Sequence, residues 1–210
     1  MADATGGGRR GVSRLVVVLW ALVAVVAIAG VGAWAAAHFR SPEPRGIYAG
    51  QPLGGPFALV NQDGAPVTEA LFRGKPSAVL FGYTHCPDVC PTTLFEMGEW
   101  QKALGAGSDK LRFAFVTVDP ERDTPAAMKD YLTAFSPTIT GVTGEPAKVE
   151  AMLKDYRVYF NKVPESDGEY SMDHTASVFL LDKTGALAGT IGRDETREDA
   201  VAKLQRLTAG

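Results

Sequence analysis

The chain has 210 residues, with 21 Lys and Arg against 24 Asp and Glu. Four of the basic residues and one of the acids fall in the first 40 positions, so residues 41–210 carry 17 basic and 23 acidic side chains and a net charge of −6. This acidic segment argues against a nucleic-acid partner, because phosphates attract basic surfaces. Its length is sufficient for one compact domain with a hydrophobic core.

The first element predicts a membrane anchor. Residues 15–37 are 23 positions without a formal charge, and a helix needs about 20 such residues to cross a bilayer. Three arginines precede them, which predicts that residues 1–14 are cytoplasmic and that a single pass through the cytoplasmic (inner) membrane leaves the C-terminal domain outside. A signal peptide cleaved near Ala33–Ala35 is the alternative, although its apolar region is normally about 7–15 residues long.

One domain is predicted after this anchor. Residues 38–56 are rich in Pro and Gly and lack periodicity, which indicates a tether. The domain then covers residues 57–210 and opens with a hairpin that turns at Asp63 and Gly64. Two apolar runs, residues 77–83 and 111–118, predict buried central strands.

The remaining elements alternate helix and strand. The predicted segments are a helix from Pro91, a helix from Pro125, a helix over 145–156, a strand over 157–163, a loop over 164–173, a hairpin over 176–192 and a helix over 195–207. Asp123 or Thr124 is expected to cap the helix from Pro125. This order implies an α/β class, with a central mixed sheet flanked by helices and an N-terminal hairpin. It resembles the thioredoxin-like fold.

Both cysteines lie in "THCPDVCP", residues 84–91, between a predicted strand and a predicted helix start. The partial positive charge of a helix N-terminus favours thiolates, which are both nucleophiles and metal ligands. A C-x-x-C pair would indicate thioredoxin-type redox chemistry, but Cys86 and Cys90 are one residue further apart. A disulfide closing so small a loop would stabilise the fold little. The pair therefore predicts functional thiols, either redox-active or metal-binding.

A third group is needed to choose between these two functions, and the chain has three histidines. His38 borders the predicted span. His85 adjoins Cys86, and adjacent residues rarely point at one site. His174 precedes a predicted strand whose start faces the cysteine loop in a thioredoxin-like sheet. A hydrogen-bonded histidine at a strand edge is the simpler interpretation of His174.

If His174 does join the two cysteines, the ligand set favours copper. Thiolates select Cu(I), zinc or iron–sulfur clusters, and imidazole suits copper and zinc. Iron–sulfur clusters need more cysteines, and a structural zinc needs a fourth protein ligand that the sequence does not supply convincingly. Asp173 and Asp119 are candidates to orient a ligand, but a solvated Asp173 and a strand-end Asp119 are the simpler interpretations.

The chain resembles the Sco/SenC family, membrane-anchored copper proteins with a thioredoxin-like domain that help to assemble cytochrome c oxidase. Four segments carry the resemblance in family order over roughly residues 57–208: "FGYTHCPDVCPTTL", "VTVDPERDTP", "YRVYF" and "DHTASVFLLD". The resemblance implies that Cys86, Cys90 and His174 bind a copper ion, as Cu(I) and Cu(II).

The resemblance implies a metallochaperone rather than an enzyme. Its expected partner is the copper-carrying subunit of cytochrome c oxidase, to whose dinuclear copper centre it delivers copper or which it prepares for copper. A copper donor protein and a thiol reductant are further expected partners.

Other classes of function remain open. A thiol–disulfide oxidoreductase would use Cys86 and Cys90 as redox-active thiols, to reduce cysteines of the oxidase subunit or of other exported proteins. Thioredoxins, however, normally have a proline where this chain has residues 172–175. A peroxiredoxin-like peroxidase lacks its usual P-x-x-x-T-x-x-C pattern here. A metal-free binding module is the last alternative.

Overall fold

A computed structural model gives the fold and describes residues 9–39, 53–166 and 168–209. Within the first of these ranges, side chains are described for residues 16–32. The chain divides into two compact units, Met1–Pro44 and Arg45–Gly210. All strands that the structure describes belong to the second unit.

The first unit contains one helix, α1, which runs over Arg9–Phe39 and includes the predicted segment 15–37. Its described side chains, residues 16–32, are all exposed. Among the residues that the structure describes, no helix combines the length and the apolar character needed to cross a membrane.

The second unit is built on a mixed sheet. The strands are β1 (Ala58–Asn61), β2 (Pro66–Thr68), β3 (Ser77–Gly82), β4 (Arg112–Thr117), β5 (Ile139–Thr143), β6 (Phe160–Pro164), β7 (Tyr170–His174), β8 (Val178–Leu181) and β9 (Leu187–Ile191). Seven of them form a sheet in the order β2-β1-β5-β4-β3-β8-β9, in which β3, β4 and β5 are parallel and the other pairs are antiparallel. Strands β6 and β7 form a separate antiparallel sheet.

Helices complete this unit. They are α2 (Val89–Leu104), α3 (Pro125–Thr133), α4 (Pro146–Asp155) and α5 (Arg197–Ala209), with short 3-10 helices at Glu69–Phe72 and Gly105–Lys110. Each α-helix places its buried side chains in one continuous core with those of the sheet. The structure confirms the predicted central mixed sheet with flanking helices, and β1 and β2 are the predicted N-terminal hairpin.

Strand β3 is an interior strand of the sheet, between β4 and β8, and it positions the cysteine loop. All six of its residues are buried, as expected for a strand covered on both faces. It pairs in parallel with β4 and antiparallel with β8, so that Val79 lies between Ala114 and Phe179. The loop that carries the cysteines therefore leaves from the carboxyl end of the most buried strand.

The start of α3 follows its capping residue, whereas α2 begins earlier than predicted. The Thr124 side chain accepts a hydrogen bond from the Ala127 amide, and Pro125 opens α3, so the cap is Thr124 rather than Asp123. Helix α2 begins at Val89, two residues before the predicted start at Pro91. Proline is tolerated there because the first-turn amides have no partner within the helix. Cys90 consequently lies inside the first turn of α2.

Two strands were not predicted. Residues 164–173 were predicted to be a loop, but β7 lies within this region and pairs with β6, Phe160 opposite His174. Only Met172 is buried among the residues of β7, so the strand shows no alternation of apolar and polar residues. Strand β5 has the sequence "ITGVT", which is short and contains a glycine, so that its β propensity is weak although it pairs with β4.

Gly82, the last residue of β3, lies where the structure has no space for a larger side chain. A Cβ atom at this position would lie 2.6 Å from Cys90 Sγ and 2.8 Å from Phe115 Cε2. Gly82→Ala is therefore expected to lower the free energy of unfolding of the reduced chain by about 1–3 kcal/mol, as overpacking does. Urea unfolding measures this difference.

Gly189→Ala is the matched control, since Gly189 is also a strand residue and a Cβ there meets nothing within 4 Å. It should stay within about 0.5 kcal/mol of the parent chain. Equal stability of the two variants would contradict the close approach of α2 to β3.

Candidate metal centre

The cysteine loop brings two sulfurs together at the start of α2. Cys90 is buried in the first helical turn, and Cys86 is half-buried in the loop before it. The Cys90 amide donates a hydrogen bond to Cys86 Sγ over 3.4 Å, and the Cys86 amide bonds to the Tyr83 carbonyl over 3.3 Å. Both sulfurs are free thiols. The helix start thus brings one buried and one half-buried cysteine together.

His174 meets these sulfurs from the opposite side. It ends β7, and its Nε2 lies 3.5 Å from Cys90 Sγ. Its Nδ1 lies 3.0 Å from the Thr175 carbonyl oxygen. A carbonyl only accepts, so Nδ1 carries the proton in the neutral ring and the lone pair of Nε2 faces the sulfur. One ligand atom from each of Cys86, Cys90 and His174 lies within 4.8 Å of the other two.

The two thiols differ strongly in acidity. A hydrogen bond from the Cys90 side chain, with a further bond from the Cys90 amide, lowers the pKa of Cys86 well below its usual range against the opposing effect of burial. The same sulfur–sulfur hydrogen bond raises the pKa of Cys90, and burial adds to this increase. These opposite directions indicate that, in the reduced chain, Cys90 keeps its proton to a higher pH than Cys86 does.

A buried carboxylate anchors the start of the loop. Asp123 accepts hydrogen bonds from the amide and the hydroxyl of Thr84 and from the hydroxyl of Thr117. Burial is the main cause that raises the pKa of Asp123, and these hydrogen bonds oppose it. Asp123 does not belong to the group of ligand atoms found among the described residues. Its contacts fix the chain two residues before Cys86.

The other candidates take different places. His85 is exposed, with Nδ1 3.0 Å from the Thr84 hydroxyl, and lies outside the ligand group. Asp173 is exposed. Asp119 is buried and pairs with Arg122. The carbonyl of Thr175, rather than either aspartate, orients the imidazole. His38 lies in the part of α1 whose side chains are not described.

The sequence analysis missed two residues beside the site, the aromatic Tyr83 and the cationic Arg122. The Tyr83 ring meets the His174 ring edge-on, with centroids 5.7 Å apart, and the Arg122 guanidinium lies over the rings of Tyr83 and Tyr170. Tyr83 and Arg122 both fall within segments that carry the family resemblance. Tyr83 lies three residues before Cys86, but only the fold brings its ring against His174 and brings Arg122, which is distant in sequence from both, over that ring.

Comparisons with known proteins place this chain in a family. The family model SCO1/SenC matches residues 46–209. The chain is 38% identical over 155 residues to mitochondrial SCO1 of Saccharomyces cerevisiae, and the match covers 72% of this chain and 52% of that protein. The chain spans about half the length of the curated yeast relatives that it matches.

The chain also matches solved structures. ScoI of Bradyrhizobium japonicum with copper bound is 49% identical, with a TM-score of 0.69, and the match covers 74% of this chain and 99% of that one. Yeast Sco1 with copper bound is 38% identical, with a TM-score of 0.68, and the match covers 73% and 87%. These matches support the predicted thioredoxin-like fold. The family model, the identities and the structural matches agree, and the chain belongs to the SCO1/SenC family.

Proposed function

We propose that this chain binds one copper ion through Cys86, Cys90 and His174. The observation that carries the proposal is the meeting of their three ligand atoms within 4.8 Å, although His174 lies 84 residues beyond Cys90. Thiolate and imidazole are ligands that copper accepts in both oxidation states. The copper-bound structures of the bacterial and yeast relatives support the same cargo for this chain.

The ligand number favours copper over the other metals that such ligands bind. A structural zinc site has four protein ligands, whereas the described residues bring three together. An iron–sulfur cluster needs about four ligands, mostly cysteines, and the chain has two cysteines. A three-ligand site also leaves room for an incoming ligand, so the ion can pass to a partner by ligand exchange.

Delivery to cytochrome c oxidase is the second part of the proposal. The Sco/SenC resemblance implies that the chain delivers copper to the dinuclear copper centre of the copper-carrying subunit, or prepares that centre. A copper donor protein and a thiol reductant are the further partners of this cycle. The half-buried Cys86 supports the proposal, because an incoming ligand can reach this sulfur without unfolding the loop.

The proposal includes a membrane anchor at residues 15–37, with residues 1–14 cytoplasmic, a tether over 38–56 and the domain of residues 57–210 outside. Its support is the uncharged run of 23 residues after three arginines. We expect the full chain to pellet with membranes and to resist extraction by alkaline carbonate, since a spanning helix does not leave the bilayer with peripheral proteins. Release into the supernatant would contradict the anchor.

Thiol–disulfide exchange is the second candidate function. The lowered pKa of Cys86 and the sulfur–sulfur hydrogen bond favour it, because a thiolate attacks disulfides and the neighbouring thiol can then close a ring. Both functions use the two cysteines. Only copper binding uses His174 as a ligand, and this difference separates them.

His174→Ala is expected to weaken Cu(I) binding by the reduced chain at least about tenfold, the lower bound for loss of even an outer partner of a metal site. It should shift the reduction potential of the Cys86 and Cys90 pair by less than about 30 mV, which corresponds to a tenfold change in the redox equilibrium constant. Anaerobic competition with a Cu(I) chelator measures the affinity, and equilibration with glutathione measures the potential.

His85→Ala is the matched control, because it removes a histidine from the cysteine loop that contacts only the Thr84 hydroxyl among its described hydrogen bonds. Its copper affinity should equal that of the parent chain. Equal affinities for the His174→Ala chain and the parent would refute the ligand assignment and leave thiol exchange as the stronger function.

Proton release provides a pH test of the same site. Binding of Cu(I) near pH 7 should release about one proton, because Cys86 is already a thiolate and Cys90 gives up its proton. Between the lowered pKa of Cys86 and the raised pKa of Cys90, affinity should therefore rise about tenfold per pH unit. Calorimetry in buffers of different ionisation enthalpy counts the protons. Release of two protons, or of none, would contradict the unequal acidity of the pair.

A further inference from the structure

The hairpin that carries His174 is held differently from the cysteines. The cysteine loop leaves from β3 in the middle of the central sheet, whereas β6 and β7 form a separate two-stranded sheet. A two-stranded hairpin is at best marginally stable by itself. The reach of His174 to Cys90 therefore depends on what attaches this hairpin to the rest of the domain.

Arg122 makes that attachment to β7. Its Nε donates to the Asp119 carboxylate, and its Nη1 donates to the Tyr170 carbonyl oxygen over 3.0 Å. The guanidinium carbon lies 3.6 Å from the centroid of the Tyr170 ring. The Tyr170 hydroxyl donates back to Asp119 over 2.9 Å, which closes the cluster. The first residue of β7 is thus bound by its carbonyl, its ring and its hydroxyl.

The same guanidinium also reaches the His174 ring through Tyr83. Its carbon lies 5.8 Å from the centroid of the Tyr83 ring, and that ring packs edge-on against the imidazole at an interplanar angle of 89°. The Tyr83 carbonyl accepts the Cys86 amide hydrogen bond. Arg122 therefore lies between the hairpin of the histidine and the strand end of the cysteines.

We propose that Arg122 is a positioning residue, which holds β7 and the Tyr83 ring so that His174 stays within reach of Cys90. This inference rests on the proposed copper function, because it concerns the distance between the imidazole and the sulfur ligands. It assigns a role to the segment "DPERDTP", which contains none of the proposed ligands.

Arginine is required for this arrangement. Its planar fork binds the Asp119 carboxylate and the Tyr170 carbonyl at once while its face stacks on aromatic rings. The compact ammonium of lysine can neutralise Asp119 but cannot make both contacts and also stack. Lys162 shows the difference, because its Nζ lies 3.8 Å from the Tyr170 centroid, yet its ion pair is with the exposed Glu121.

Arg122→Lys is the variant for the test. It keeps a positive charge beside the buried Asp119, whereas an apolar residue would leave that carboxylate unpaired and threaten folding. The first readout uses the full reduced chain without copper, labelled at histidine and tyrosine. The nuclear Overhauser contact between the rings of His174 and Tyr83 should be strong in the parent and weak or lost in Arg122→Lys.

The second readout is Cu(I) affinity. Arg122→Lys should weaken binding about tenfold, within the range for loss of an outer partner of a metal site. The effect should vanish in the His174→Ala background, so that the double variant binds as His174→Ala does, because Arg122 acts through the histidine. A general loss of folding would instead weaken both backgrounds equally. Tyr170→Leu, which keeps the Arg122 and Asp119 pair, should likewise weaken Cu(I) binding when His174 is present and have no effect in the His174→Ala background.

Lys162→Met is the matched control, since it removes a cation from the same Tyr170 ring without touching Asp119. It should leave both readouts unchanged. An unchanged ring contact in Arg122→Lys, or equal losses of affinity with and without His174, would overturn the positioning role. Failure of the parent chain to bind copper would refute the proposed function, while the ring contact in the copper-free chain would still decide the role of Arg122.

Discussion

The contact of 3.5 Å between Cys90 Sγ and His174 Nε2 is the interaction on which the site depends. It joins a helix start to the end of a strand in a different sheet. The cysteine side is rigid, because β3 is buried throughout and Gly82 leaves no space for a Cβ beside Cys90. The histidine side is supported by side-chain contacts at the surface of the sheet. The proposed site therefore combines one half built on the buried sheet with a second half held by side-chain contacts.

Much of the core was predictable from the sequence, because it follows from hydrophobicity and capping. The continuous apolar runs gave β3 and β4, and a threonine followed by a proline gave the start of α3. These signals are local, since a strand buried on both faces or a capped helix has a composition that shows within a few residues. The cysteine pair at a helix start belongs to the same class of signal.

The histidine side was harder to predict. The residues of β7 are mostly polar and only half-buried, so its hydrogen-bonded ladder has no counterpart in hydropathy. His174 was expected in a loop directly before the strand that became β8. It does precede β8, but it ends β7, and residues 175–177 separate the two strands. The proposal that His174 is a ligand began with the family resemblance, and the proposed support by Arg122 and Tyr83 depends on contacts between segments distant in sequence.

Charge balance supports the proposed exchange of a proton for Cu(I) at the reduced site. One proton shared by two sulfurs gives the pair a net charge of −1, and Cu(I) bound by two thiolates also carries −1. Exchange of the Cys90 proton for Cu(I) therefore adds no charge to a half-buried site, and it avoids the large desolvation cost of an unpaired ion. Cu(II) in the same place would reduce the net charge to zero. The imidazole, whose Nδ1 lies against the Thr175 carbonyl, presents Nε2 toward the Cys90 sulfur. The acidity difference between two sulfurs four positions apart thus prepares the dithiol for an ion of single positive charge.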